Sequence, residues 1–411
     1  MKSNTNMHNT TSMARNDKHT VTTRQLCFML AFFLPANKII LLPSVLTQYA
    51  GNDLLLAALA VFVLQGAAIF ALLWIMSRTE KTLFELIEGK FGTWAARIFY
   101  FILGAYLLFS SVLPVTEHRL YTQNTMYDTL PTILIFIPFF FFSGYAAAKG
   151  LQCAGRAADV SALLFLVSVP VLLFMSVASA DFTALLPIGS AGAGKIFNAS
   201  AHVLSWCSDA GWVLVFLGNV RVEKNFLCKT GISYACGAGV VLLFLAVFYG
   251  IFSTVAMNES FAVVKIARYY NALKTLGRID YLFIYILSLV QLFALTLPIQ
   301  LSAYTMRKAF NADMPPLFSA IVNGVLLLVV LFTAKSFPSL ERTINGYLFP
   351  VFLVFANALP LLCPLLLLGE KKARRDNNPQ TDEQKDKEKD NDNRNNRDRK
   401  RQQIPAGGKE F

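Results

Sequence analysis

The chain has 411 residues, 55% of them hydrophobic and only 15% charged, with a net charge of +12. Residues 370–411 hold 23 of the 62 charges, which leaves 39 for the first 369 residues, whereas a soluble domain carries about a quarter charged residues. A body this apolar excludes a water-soluble enzyme, a DNA-binding domain and a disordered protein, and points to an integral membrane protein with polar ends.

Residues 1–24 form a polar segment without the apolar stretch that a secretory signal needs. A membrane domain over 25–368 follows. Ten apolar runs of roughly bilayer-crossing length are read at 25–46, 54–77, 95–115, 131–148, 157–179, 201–220, 231–254, 279–305, 317–334 and 346–368. The third run continues through 116–128 as a more polar helical end. Residues 369–411 are rich in Lys, Arg, Asp, Glu, Asn and Gln, bury no core and are expected to be a disordered tail. The basic start of that tail, 371–375, either fixes topology or meets anionic lipid.

Loop charges orient the chain. With the N-terminus cytoplasmic, inside segments carry 18 Lys and Arg and outside segments 8. Both termini are therefore expected inside, as an even number of spans requires. Residues 255–278 hold four bases on the outside and read as a short amphipathic helix plus loop.

A charge inside a span usually faces a cavity or a partner. Lys38 lies late in run 1, between Pro35 and Pro43 and after Ala36 and Asn37. Asp209 lies within run 6, flanked by Trp206, Cys207, Ser208, Gly211 and Trp212. Proline removes a backbone donor, and backbone freed in lipid must face a cavity inside the protein. Runs 1 and 6 open two five-helix halves, and broken helices at matching positions point to a transporter-type site. Candidate ligand residues are Ala36, Asn37, Lys38, Tyr106, Trp206, Ser208, Asp209 and Trp212. Lys38 either snorkels to the outer interface or joins the site, where it would pair with Asp209. Tyr100, Tyr285 and Tyr304 read as packing or belt positions, and Arg156 with Asp159 as an interfacial helix-start pair.

The six cysteines are scattered with no C-x-x-C, and the four histidines show no metal-ligand spacing. No Walker A, H-E-x-x-H or G-x-S-x-G motif is present. Neither an enzyme nor a cofactor, metal or nucleic-acid partner is expected.

Several stretches in order carry a resemblance. They are Ile39-Ile40-Leu41-Leu42-Pro43 with Tyr49-Ala50-Gly51-Asn52-Asp53, and Thr82-Leu83-Phe84-Glu85-Leu86 with Phe91-Gly92. Gly150-Leu151-Gln152 with Arg156, Leu185-Leu186-Pro187 and Arg278-Ile279-Asp280 follow. Over about 22–368 the chain resembles the endospore germination permeases, the B-type subunits of GerA-type germinant receptors in the amino acid–polyamine–organocation superfamily. It departs from that pattern with Ala36-Asn37-Lys38 where glycines are usual, Asp209 where a Glu is common, and Gln152 for Glu.

The resemblance implies ten transmembrane helices as two inverted five-helix repeats, with helices 1 and 6 broken around a small-molecule pocket and an outer lid after helix 7. It also implies a germinant (amino acid, nucleoside or sugar), an A-type membrane subunit and a C-type lipoprotein as partners, and the inner membrane of the bacterial endospore as location. Three roles follow: a germinant-sensing subunit, a proton- or Na⁺-coupled secondary transporter, and a scaffold whose pocket is filled by Lys38 and Asp209.

Overall fold

The computed structural model describes residues 21–126, 132–269, 280–333 and 336–365. The tail at 369–411, its basic start and most of the polar N-terminal segment lie outside these residues.

The chain enters through a two-residue strand, β1 (Val21–Thr22), which pairs in parallel with β2 (Val220–Arg221). Thr22 and Gln25 then form a reciprocal capping box that starts α1 (Thr23–Phe28). A π turn over Met29–Phe33 carries the rod into α2 (Leu34–Lys38). Pro35 lies inside this continuous rod, directly after the π turn that rearranges the hydrogen bonding where its N–H is missing, so the rod runs past it. It stops after Lys38. Residues 39–41 bend, and α3 (Leu42–Ala50) restarts with Pro43 in its own first turn. The break therefore lies at 39–41, just beyond the expected Ala36, Asn37 and Lys38. It lies between the two prolines, directly ahead of Pro43, which begins the restarted helix α3.

Gly51, at φ 59°, turns the chain through Gly51–Asp53 into α4 (Leu54–Met76). The next helix, α5 (Leu83–Met126), is interrupted at Gly92 (φ 83°) and runs without a further break to Met126. It is followed by α6 (Thr132–Lys149) and α7 (Leu151–Val177), separated by Gly150 at φ 78°. The sixth span begins earlier than the expected residue 201, as α8 (Ala193–His202). It unwinds over 203–208 and resumes as α9 (Asp209–Val213) with a 3-10 turn at Leu214–Phe216.

The remaining helices are α10 (Phe226–Phe252), α11 (Ala262–Tyr269), α12 (Asp280–Phe310) and α13 (Pro315–Thr333). The last span is α14 (Phe337–Arg342), α15 (Phe349–Leu353) and α16 (Leu359–Leu362) with two π turns between them. It bends by 58°. α11 is amphipathic, with Val263, Val264, Ile266 and Ala267 buried and Lys265 and Arg268 outward.

Among the described residues, six helices are long and apolar enough to cross a membrane, and the bent pair makes a seventh. With the two broken helices and α6 they fit the ten expected runs. Every backbone polar group in hydrocarbon must be paired internally, which helices achieve by themselves. Phe136, Phe139, Phe140, Ile299, Val322 and Leu326 form one packed core between α5, α6, α12 and α13. At Gly237 of α10 the first rod approaches so closely that a Cβ would stand 2.6 Å from the Leu30 carbonyl.

Candidate functional site

The two breaks face each other. Lys38, the last residue of α2, donates from Nζ to Asp209 Oδ2 at 2.7 Å and to the Leu34 carbonyl at 3.2 Å. Its side chain is 2% exposed and that of Asp209 10%. Lys38 therefore does not snorkel; it closes a buried ion pair with the first residue of α9. In this setting each charge depends on the other, because an unpaired ion inside a membrane domain is expensive.

Glu117 of α5 holds the two breaks together. Its Oε1 accepts from the Leu41 N–H at 3.1 Å and its Oε2 from Trp206 Nε1 at 2.8 Å. Leu41 belongs to the first break and Trp206 to the second. Several other freed backbone groups also have partners. The Ile40 carbonyl accepts from Ala262 N at 2.9 Å, which docks the start of α11 on the first break. The Leu41 carbonyl accepts from Ser44 Oγ. At the open N-terminus of α9, the Ala210 N–H donates to Gln65 Oε1 at 3.2 Å, while Gln65 Nε2 donates to Asn357 Oδ1 at 3.0 Å. Ser205 Oγ donates to Asn345 Oδ1 at 2.5 Å. Helices 2, 3 and 10 of the ten-span order thus brace the unwound segments through Gln65, Glu117, Asn345 and Asn357.

The other expected residues fall around this centre. Ala36 is buried in α2. Asn37 beside it has a buried Oδ1 that no donor reaches among the described residues. Tyr106 stacks on Phe355 at 4.8 Å and 18° and lies against Gly211, where a Cβ would stand 2.9 Å from the ring. Ser208 caps the break ahead of Asp209, and Gly211 N donates to its carbonyl. Trp212 is buried one turn on and meets Phe216 edge-on at 6.2 Å. Of the belt candidates, Tyr100 is buried within the domain rather than set at an interface. Asp159 pairs with Arg24 at 3.2 Å and accepts from Gln25 at 3.0 Å, so it ties α7 to α1 rather than to Arg156.

Sequence reasoning missed Glu117, and with it His118, whose Nδ1 meets Gln291 Oε1 at 2.6 Å. It read 116–128 as a polar end. The signal was there: Glu117, His118 and Arg119 stand in a row on a helix too long to end before them, and all three are buried. Gln65 and Asn357, neutral and alone in apolar runs, gave no charge signal.

Among the described residues no cluster of His, Cys, Asp and Glu is arranged to hold a metal ion. What the arrangement offers is a cation, an anion and two unwound backbone segments in one dry place.

A family model for spore germination proteins matches residues 20–338. The chain belongs to that family. Its fold is shared with solved membrane-protein structures. The structure of MhsT in complex with L-phenylalanine superposes with a TM-score of 0.60 at 14% identity, covering 83% of this chain and 87% of that one. Mhp1 in a closed conformation with bromovinylhydantoin bound gives 0.41 at 15% identity, with 82% and 78% covered. No curated protein matches the chain. The protein is thus a multi-pass membrane protein of two inverted five-helix repeats with helices 1 and 6 broken.

Proposed function

We propose that this protein is a germinant-sensing subunit whose ligand site is the Lys38–Asp209 region between the two breaks. The observation that supports this is the pair itself, 2.7 Å apart and held where the backbone of both helices is unwound. Fixed opposite charges there suit a zwitterionic amino acid. Its carboxylate replaces Asp209 beside Lys38 and its ammonium replaces Lys38 beside Asp209. Each buried charge exchanges one partner for another, so none is left unpaired. In this reading Asn37, Tyr106, Trp206, Ser208 and Trp212 contribute to the same site, with Ala36 behind.

A ligand shifts an equilibrium only by binding one state better than another. Parting Lys38 from Asp209 moves the halves of helices 1 and 6. That movement reaches an A-type membrane subunit and a C-type lipoprotein in the spore inner membrane. Both chain termini are cytoplasmic in this reading, and α11, docked on Ile40, is the outer lid.

The same short pair also favours a second reading, a scaffold subunit in which Lys38 and Asp209 fill the pocket for good. Thermal unfolding of the purified full-length protein against amino acids, nucleosides and sugars, alone and with partner subunits, separates the two. A ligand-specific rise in Tm that Asp209→Asn abolishes supports sensing. A folded protein that responds to nothing, with or without partners, leaves the scaffold. Proton- or Na⁺-driven uptake into partner-free liposomes would instead make the protein a transporter.

A further inference from the structure

Away from the breaks, two cavities adjoin at one end of the bundle. The first, of about 480 Å³, opens where α6 ends, α7 begins and α12 ends. Lys149, Arg307 and Lys308 line it together with Gln152 and Tyr304. No carboxylate lines it, and among the described residues none pairs with any of the three cations. Asp313, in the nearby α12–α13 connection, is exposed and is not part of its wall. Two of the cations lean on aromatic rings that position them without neutralising them: Lys149 lies 5.3 Å from the Tyr145 ring and Arg307 5.8 Å from that of Tyr304.

The second cavity, of about 500 Å³, lies between α6 and α13 and shares Ala148 with the first. Its walls are largely apolar, with Ile137, Phe140, Phe141 and Leu327, and Gly144 and Ala320 leave it room. It runs from the helix ends toward the middle of α6 and α13. Phe141 and Tyr145 on its rim are 76% and 63% exposed, so it opens to the lipid side.

We infer that these cavities together form a binding site for an anionic phospholipid, with the phosphate headgroup among Lys149, Arg307 and Lys308 and an acyl chain in the α6–α13 groove. Basic groups at the ends of membrane helices lie at headgroup level and attract anionic lipid. A free phosphate would use the first cavity and leave the second unexplained; a lipid uses both, in the order in which they meet at Ala148. A bound lipid would also brace α6 against α13 and the end of α12, which meet mostly through the core described above.

The test is native mass spectrometry of the full-length protein released from micelles doped equally with phosphatidylglycerol and phosphatidylcholine. The expected result is preferential retention of phosphatidylglycerol. Arg307→Gln and Lys308→Gln should each lower it about fivefold, the effect of one basic group near a membrane surface. Gln152→Glu, at an exposed position that carries no packing, should lower it similarly by placing an anion in the pocket. Ala148→Phe should lower retention by blocking the passage between cavities while leaving the three cations in place. Equal retention of the two lipids, or retention indifferent to Gln152→Glu, overturns the proposal. So does full displacement by soluble glycerol phosphate, because the ligand would then be a free phosphate and not a lipid.

Discussion

The Lys38–Asp209 pair makes a quantitative claim about coupling. Asp209→Ala leaves the Lys38 ammonium, 2% exposed, with the Leu34 carbonyl at 3.2 Å as its remaining partner. Removing one member of a buried pair costs about 3–5 kcal/mol, whereas replacing both with apolar groups of similar volume is often neutral or stabilising. Lys38→Met with Asp209→Leu should therefore be more stable than either single change. The coupling energy from the four-variant cycle should come to about 3 kcal/mol or more. Cys207 and Cys363 are buried free thiols, so with the other four cysteines replaced by Ser a thiol-reactive dye that reports their exposure during heating follows unfolding in detergent. The single variants should lose several degrees of Tm that the double regains. If the single losses simply add in the double, the two side chains do not hold each other and the central site has been misread. The double variant also bears on function: a scaffold should keep its activity with partners, while a sensor should be stable and deaf to ligand.

Other outcomes follow from single contacts. Glu117→Gln has one acceptor oxygen for two donors, Leu41 N–H and Trp206 Nε1, and should cost about 1–3 kcal/mol, seen as a lower Tm and a red-shifted tryptophan emission. Gly237→Ala places a Cβ 2.6 Å from the Leu30 backbone carbonyl, which cannot move aside as a side chain would. It should cost at least about 1–3 kcal/mol, and folded yield should fall well below that of Gly239→Ala, where a Cβ meets nothing within 4 Å. Asp53 accepts from the N–H groups of Gly189 and Ala191 at 2.5 and 2.7 Å. Asp53→Asn can satisfy only one of them, and limited proteolysis should then cut within 186–192 faster than in the parent protein.

Much of this architecture could be read from the residues alone. Two charges in otherwise apolar runs, each beside a helix-breaking residue, marked the two breaks, because lipid permits unwound backbone only where protein surrounds it. The position of the first break was displaced by a few residues. A proline signals a missing donor but does not say where the helix yields, and here the rod passes Pro35 while Pro43 opens the restarted piece. Glu117 was hidden for a different reason. Its neighbours His118 and Arg119 made the segment look like an interfacial end, and only the length of α5 carries it to the depth of Leu41 and Trp206. The brace through Gln65 and Asn357 was invisible, since neutral amides in apolar runs are common and their partners lie 292 residues apart.

The short bridge between β1 and β2 sets a mechanical condition on whatever the centre does. Val21 stands just ahead of the first half of helix 1, and three residues separate Val220 from the second half of helix 6. Thr23 Oγ1 adds a 2.6 Å bond to the Arg221 carbonyl. These two half-helices are therefore yoked at their far ends as well as at Lys38 and Asp209. Under the proposed function, parting of the central pair would turn them as one jaw about that yoke and carry the displacement to the start of α10 instead of fraying each half separately.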